Sequence, residues 1–301
     1  MIPPAIAEIA FRGLCLVGAR FGGVRPRRLY HWLAGQAYGD APPSARSFRW
    51  HRDRWGFRFE LHPYYWIDRS ILAFGGYDLP LLRFLHERLR PGAVCFDVGA
   101  NLGQVTVHMA ALVGPRGRVL SFEPLPHVRE RLARHVAANG LDARVEMHPV
   151  ALSNATGAAT FHFAEAAIPN QGMGSLVMDD HPSLCKRCEV RTMRLDDFVE
   201  ERQVERIDWI KLDVQGAEPL VLEGARATLE RFSPELLVEV DPVDLRSGGF
   251  TSRSLLRSLG DLGYRAFPLR HGSPGPAIDP RTVPEDWAAD NVYCTRRPSH
   301  A

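Results

Sequence analysis

Val94-Cys95-Phe96-Asp97-Val98-Gly99-Ala100-Asn101-Leu102-Gly103 is the stretch that decides the fold. An apolar run enters Asp97, two glycines stand four apart, and a helical pattern opens at Gln104. The succession predicts a buried strand, a tight turn and a helix N-terminus. Gly99 and Gly103 let a backbone pass close to a ligand where a Cβ would collide. Further on, the apolar run Val119-Leu120-Ser121-Phe122 ends in Glu123 and Pro124. An acidic residue at the tip of the second strand of such a βαβ unit is placed to accept hydrogen bonds from both hydroxyls of a ribose. A nucleoside site is therefore expected.

The spacing bears on which nucleoside. A dinucleotide fingerprint reads GxGxxG and leaves a helix N-terminus open to a pyrophosphate. Here the glycines are Gly99-x-x-x-Gly103, and Asp97 precedes the first by two residues. A carboxylate there repels a diphosphate and suits a cationic ligand. S-adenosylmethionine carries a ribose, an ammonium and a sulfonium, so it fits better than NAD. The plain alternative is a pair of glycines that serve only a turn.

Working outward, Leu79–Arg88 has helical spacing and closes near Pro91-Gly92. Residues 105–113, 127–139, 195–203, 218–231 and 254–262 are expected as helices. Strands are expected at 57–61, 145–150, 207–212, 235–240, 264–268 and 291–295, with 271–286 as a loop. Residues 159–163 and 189–193 are expected as an inserted hairpin around the long segment 168–176. Loops of that length in compact domains are usually functional or disordered. Strands alternating with helices predict a mostly parallel sheet whose ligands gather beyond the carboxyl ends of its strands.

With 301 residues, 45% of them hydrophobic, the chain can bury a full core. The division expected is an N-terminal amphipathic helix and connector over 1–56, then one large domain over 57–301. A net charge of +2 is too small to argue for nucleic acid, and no Asn-Pro-Pro-aromatic motif follows the fourth strand. Residues 1–24 are apolar but broken by Glu8, Arg12 and Arg20, so a membrane-spanning helix and a cleaved leader are both unexpected. An amphipathic helix fits this segment, packed on the main domain or a partner subunit, or resting on an anionic membrane surface beside the basic cluster at 25–28. A homo-oligomer is compatible with the first reading. Cys15, Cys95, Cys185, Cys188 and Cys294 form no even framework, which suggests a reduced, cytoplasmic chain. The lone pair Cys185-x-x-Cys188 reads as loop thiols or, less simply, as half of a zinc or redox site.

The segments FDVGANLGQVT, VLSFEP, ALSN, IDWIKLDVQGAE and LLVEV, in that order, resemble the FkbM family of S-adenosylmethionine-dependent methyltransferases. The likeness runs over residues 57–295. It implies a Rossmann-like class I methyltransferase sheet: seven strands, mostly parallel, the last antiparallel, with a helical N-terminal extension and the inserted hairpin. It also implies that Asp97, Gly99, Ala100, Asn101, Gly103, Glu123 and Pro124 line the methyl donor, and that Ala151, Leu152 and Ser153 edge its adenine. The zone around Tyr77 and Asp78 would cap the pocket. The segment containing Asn170 and Ser175 would face the substrate, so Tyr77, Asn170 and Ser175 are the substrate-side candidates. One position departs from the family pattern: Gln215 stands where Glu is usual.

The chemistry implied is methyl transfer to a hydroxyl of a small molecule such as a secondary metabolite, a sugar or a glycan. Displacement from a sulfonium needs alignment and exclusion of water, and an alcohol acceptor must also lose its proton. Asp213, Glu218 and Glu239 fall at strand tips or at the helix between them, and are the candidate bases. Alternatively Asp213 and Glu239 hold Mg2+, which would acidify the acceptor hydroxyl. The reading without metal is preferred, since no third clustered oxygen ligand is evident. A rival of another class is a non-catalytic binding or assembly protein that keeps the donor fold, suggested by Gln215 and the N-terminal segment.

Overall fold

The computed structural model describes residues 48–164, 174–178 and 186–296, with positions 6, 7, 9, 10, 13, 32, 33 and 36. A hairpin of β1 (Arg49–Arg52) and β2 (Arg58–Leu61) leads into helices α1 (Trp66–Phe74) and α2 (Leu79–Arg88). Next come β3 (Val94–Val98), α3 (Gln104–Val113), β4 (Arg118–Phe122), α4 (Pro126–Ala138) and β5 (Val145–His148). Four strands follow: β6 (Ala151–Leu152), β7 (Gly157–Phe163), β8 (Gly174–Ser175) and β9 (Lys186–Met193). After α5 (Leu195–Glu201) and β10 (Trp209–Leu212) lie α6 (Glu218–Glu223), α7 (Arg226–Phe232) and β11 (Glu235–Val240). The remainder is α8 (Pro242–Ser247), α9 (Ser252–Asp261), β12 (Arg265–Arg270), β13 (Ser273–Pro274) and β14 (Ala289–Thr295).

The main sheet has the order β13-β12-β14-β11-β10-β3-β4-β5. From β11 to β5 every ladder is parallel, and β14 runs antiparallel to both β11 and β12. This is the expected sheet, mostly parallel with its last strand reversed. The strand beyond the seven expected is the two-residue β13. The chain turns at His271 and Gly272, both at positive φ, and folds back on β12. The strand order reverses between β3 and β10, and such a switch point opens a crevice at the carboxyl edge of a parallel sheet.

Strand alternation assigns the two faces. Val94, Phe96, Val98, Ile210, Leu212, Leu236, Val238 and Val240 belong to one core, which α5, α6, α7 and α9 cover. Cys95, Trp209 and Leu237 belong to the other, which α2, α3 and α4 cover. By the same period of two, Asp97 and Lys211 share the second face. They are also register partners on adjacent strands.

Several elements differ from expectation. Residues 49–52, inside the stretch expected to be a connector, pair with β2, so a strand lies on each side of residue 56. The helix expected over 218–231 is two helices broken at Gly224, where an added Cβ would stand 2.1 Å from the Ser153 carbonyl oxygen. α1 and α8 were not foreseen. The inserted hairpin is present as β7 against β9, enlarged into a small sheet of order β6-β9-β7-β8. Cys95 and Cys294 are buried in strands, whereas Cys15, Cys185 and most of the N-terminal helix lie outside the described residues. Among the described residues no helix is long and apolar enough to cross a membrane.

Candidate active site

A cavity opens at the switch point. Its floor is the turn Val98–Gln104 after β3, and its sides come from Phe122–Leu125 after β4 and from Lys211, Asp213, Val214 and Gln215 at the end of β10. Glu239 of β11, Asp78 and Tyr77 ahead of α2, and Asn291 of β14 close one end. Ala151, Leu152, Phe161, Gly174 and Leu176 make an apolar wall at the other.

The floor is built by backbone packing. The N–H groups of Gly99 and Ala100 both donate to the Phe122 carbonyl, at 3.1 and 3.0 Å. Gly99 has φ +77, and a Cβ on it would fall 1.8 Å from the Asp213 carbonyl oxygen. Only glycine combines that backbone with that approach. Asn101 also lies in the left-handed region, at φ 51.

Glu123 is buried at the tip of β4 and lines the cavity. Its Oε2 accepts the Asn101 N–H at 3.1 Å and its Oε1 the Leu125 N–H at 3.0 Å, so the carboxyl group is held flat against the turn. Burial raises its pKa to about 7 against the pull of those two bonds. Each oxygen keeps a lone pair for a hydroxyl donor, which is what a vicinal diol supplies. Gly99, Ala100, Asn101, Gly103, Pro124, Ala151 and Leu152 also line the cavity.

Asp97 does not. Its side chain is fully buried beneath the floor, where its Oδ2 accepts from the Thr106 hydroxyl at 2.6 Å and its Oδ1 lies 3.5 Å from Lys211 Nζ. Ser153 lies one step past the apolar wall, its N–H donating to the Met193 carbonyl. Ser175 donates its hydroxyl to the Gln215 carbonyl at 2.7 Å and so ties the inserted sheet to the site. Glu218 folds back to accept the N–H groups of Val214 and Gly216, at 2.9 and 3.3 Å. It supports the loop from behind, and burial raises its pKa to about 7. Asn170 lies outside the described residues. Tyr77 stands at the mouth with 44% of its surface exposed.

Asp213 and Glu239 do converge. Gln215 Nε2 donates to Asp213 Oδ1 at 3.1 Å and to Glu239 Oε2 at 2.9 Å, spanning the pair. Gln215 holds φ 53, a costly conformation for a non-glycine residue and one that clusters at functional sites. Burial alone would raise the pKa of Asp213, but Lys211 and bonds from Glu239, Lys211 and Gln215 hold it below the usual range. Burial, and then the neighbouring Asp213 charge, push Glu239 well above it. Glu239 therefore keeps its proton to higher pH than Asp213 does.

Lys211 was not anticipated. Its Nζ donates to the Gly99 carbonyl at 2.9 Å and lies 3.2 Å from Asp213 Oδ2, so one buried cation ties the floor to the acidic wall. Burial works against its charge, yet Asp213 and Asp97 outweigh that and hold the ammonium above the usual lysine range. A signal was available: Lys211 is one of two lysines in the chain, and it interrupts an apolar strand. Gln104, at the first position of α3, lines the cavity and was likewise missed. Among the described residues no group of three or more His, Cys, Asp or Glu is placed to hold a metal ion.

The family model described as the methyltransferase FkbM domain matches residues 97–266. Among curated proteins, AMB antimetabolite synthetase AmbE of Pseudomonas aeruginosa is 31% identical over 55% of this chain, a match that takes up only 9% of that protein. The 2-O-methyltransferase NoeI of Sinorhizobium fredii is 28% identical, covering 56% of this chain and 71% of its own length. The 31-O-demethyl-FK506 methyltransferase FkbM of Streptomyces tacrolimicus is 29% identical, covering 54% of this chain and 74% of its own.

Proposed function

The chain belongs to the FkbM family of methyltransferases, and from that premise we propose that it moves the methyl group of S-adenosylmethionine to a hydroxyl of a small molecule. The observation that carries this reading is the meeting, in one cavity, of Glu123 with the Asp213–Glu239 pair. Glu123 would accept both ribose hydroxyls, and the apolar wall of Ala151, Leu152 and Phe161 would take the adenine. Asp213 and Glu239 would face the reacting end. Two relatives whose names specify O-methylation, NoeI and the Streptomyces protein, support a hydroxyl acceptor.

Methyl transfer from a sulfonium is an in-line displacement: the carbon–sulfur bond breaks as the carbon–oxygen bond forms. The rigid floor holds the donor in place, and the hydroxyl proton passes to the carboxyl pair. To receive it, the pair must first lose the proton held on Glu239. Lys211 makes that dianion tolerable, because its ammonium already sits against Asp213. The rate should therefore rise with pH as Glu239 ionises, above the usual carboxylate range. Glu239→Gln should lower kcat by roughly 10²–10⁴-fold, the ordinary worth of a positioned base. A divalent ion would draw on Asp213 and Glu239, but Gln215 presents an N–H donor to both. The proposed reaction uses no metal, and EDTA should leave the rate unchanged.

Titration with S-adenosylhomocysteine, followed by incubation with labelled S-adenosylmethionine and a panel of sugars and hydroxylated metabolites, tests this directly. A product one methyl heavier at oxygen is expected. Absence of nucleoside binding, or a methyl found on nitrogen, would overturn the proposal.

A further inference from the structure

The loop that follows β10 is held in an unfavourable shape. Gln215 sits at φ 53 and Gly216 at φ 89. In a non-glycine residue such a backbone persists only where its surroundings over-determine it. From behind, Glu218 accepts the N–H groups of Val214 and Gly216. Gly216 is itself pressed against α8, where an added Cβ would stand 2.3 Å from the Asp244 carbonyl oxygen. The Gln215 carbonyl is held by a different element: it accepts the hydroxyl of Ser175, in β8, at 2.7 Å.

Ser175 is fully buried, its O–H is spent on that carbonyl, and its oxygen accepts the Val177 N–H at 3.2 Å. It is therefore part of the frame and does not meet a substrate. Its chain neighbours Gly174 and Leu176 belong to the apolar wall of the cavity, and β8 pairs with β7 of the inserted sheet. At the other end of the link, the Gln215 side chain gives Nε2 to both Asp213 and Glu239. Carbonyl and side chain hang from one residue, so a Gln215 released to an ordinary negative φ would carry its amide away from the pair. Two carboxyls left with no donor between them repel when both are charged.

We propose that Ser175 is a positioning residue for deprotonation of the acceptor: by holding the Gln215 carbonyl it keeps the Gln215 amide between Asp213 and Glu239. The short strand that helps to form the apolar wall thereby sets the geometry of the pair that takes the proton. The assignment rests on the methyl-transfer reading above and deepens it.

The test uses the compound of the panel above to which the unaltered chain transfers a methyl group. Ser175→Ala should lower kcat about tenfold or more, with the Kd for S-adenosylhomocysteine and the KM for the acceptor each within about threefold. Ser175→Cys, whose thiol is a weaker donor, should fall between Ala and Ser, and it carries the comparison if the alanine variant does not fold. Gln215→Ala should be at least as slow as Ser175→Ala. Adding Ser175→Ala to it should change kcat by less than about twofold, because both act through one amide. Losses that multiply in the double variant, a donor affinity that falls as far as kcat, or an unchanged kcat in Ser175→Ala would each make Ser175 a packing residue only. Any of the three overturns the assignment and leaves methyl transfer by the unaltered chain standing. Failure of the unaltered chain to transfer a methyl group to any compound would remove the function and the assignment together.

Discussion

Glu123 is the side chain on which nucleoside binding turns. Its pKa of about 7 means that the empty site holds a proton below neutrality. A ribose that donates two hydroxyls prefers the carboxylate, so binding in that range releases the proton. Affinity for S-adenosylhomocysteine should be greatest above pH 7 and fall toward about tenfold per pH unit below it. Glu123→Gln should flatten the dependence. Calorimetry in buffers of different ionisation enthalpy would register the proton release, and a pH-independent affinity in the unaltered chain would contradict the role. The sequence assigned both Asp97, just before the glycine turn, and Glu123, at the tip of the second strand, to the donor site. Asp97 lies beside Lys211 in register and beneath Thr106, so its charge is spent inside the protein. Pairing between strands decides that, and pairing is not local.

At the scale of elements, the break between α6 and α7 links packing to the site. Helical spacing gives no hint of it. The Ser153 carbonyl passes so close to Gly224 that no side chain fits, although φ at Gly224 is an ordinary −77. Ser153 directly follows β6, whose residues Ala151 and Leu152 form the apolar wall. Gly224→Ala must push that strand. It should cost about 1–3 kcal/mol in denaturant unfolding, the usual toll of overpacking. It should also weaken nucleoside binding, though Gly224 is not among the residues that line the cavity. Lost stability with unaltered affinity would show that the wall tolerates the shift.

Across the whole molecule, the β1–β2 hairpin is fastened to the catalytic sheet by buried polar groups. Asp53 Oδ1 accepts the N–H groups of Trp55 and Phe57, and its Oδ2 pairs with His108 Nε2 of α3 at 2.7 Å. His108 Nδ1 in turn meets His86 Nε2 of α2 at 2.9 Å. A second tie joins Arg131 of α4 to Asp68 of α1 and to the Glu60 carbonyl of β2. Removing one partner from such a group strands the others without water. Asp53→Ala should therefore cost about 1–3 kcal/mol or more of unfolding free energy. It should also expose the hairpin to proteolysis before the sheet unfolds. A change under about 1 kcal/mol would make the hairpin an appendage instead.

What the chain determined alone was whatever rests on local pattern: the alternation of strands and helices, the glycine-bearing turn after β3, and acidic residues at the tips of β4, β10 and β11. Tertiary structure decided which of those carboxylates see the cavity. Glu123, Asp213 and Glu239 line it, whereas Asp97 and Glu218 are consumed by Lys211 and by backbone N–H groups. It also brought forward Lys211 and Gln104, whose importance comes from neighbours far away in sequence. The physical reason is the same in each case. Burial makes a charge or an amide depend on its partners, and the partners arrive only when the sheet assembles.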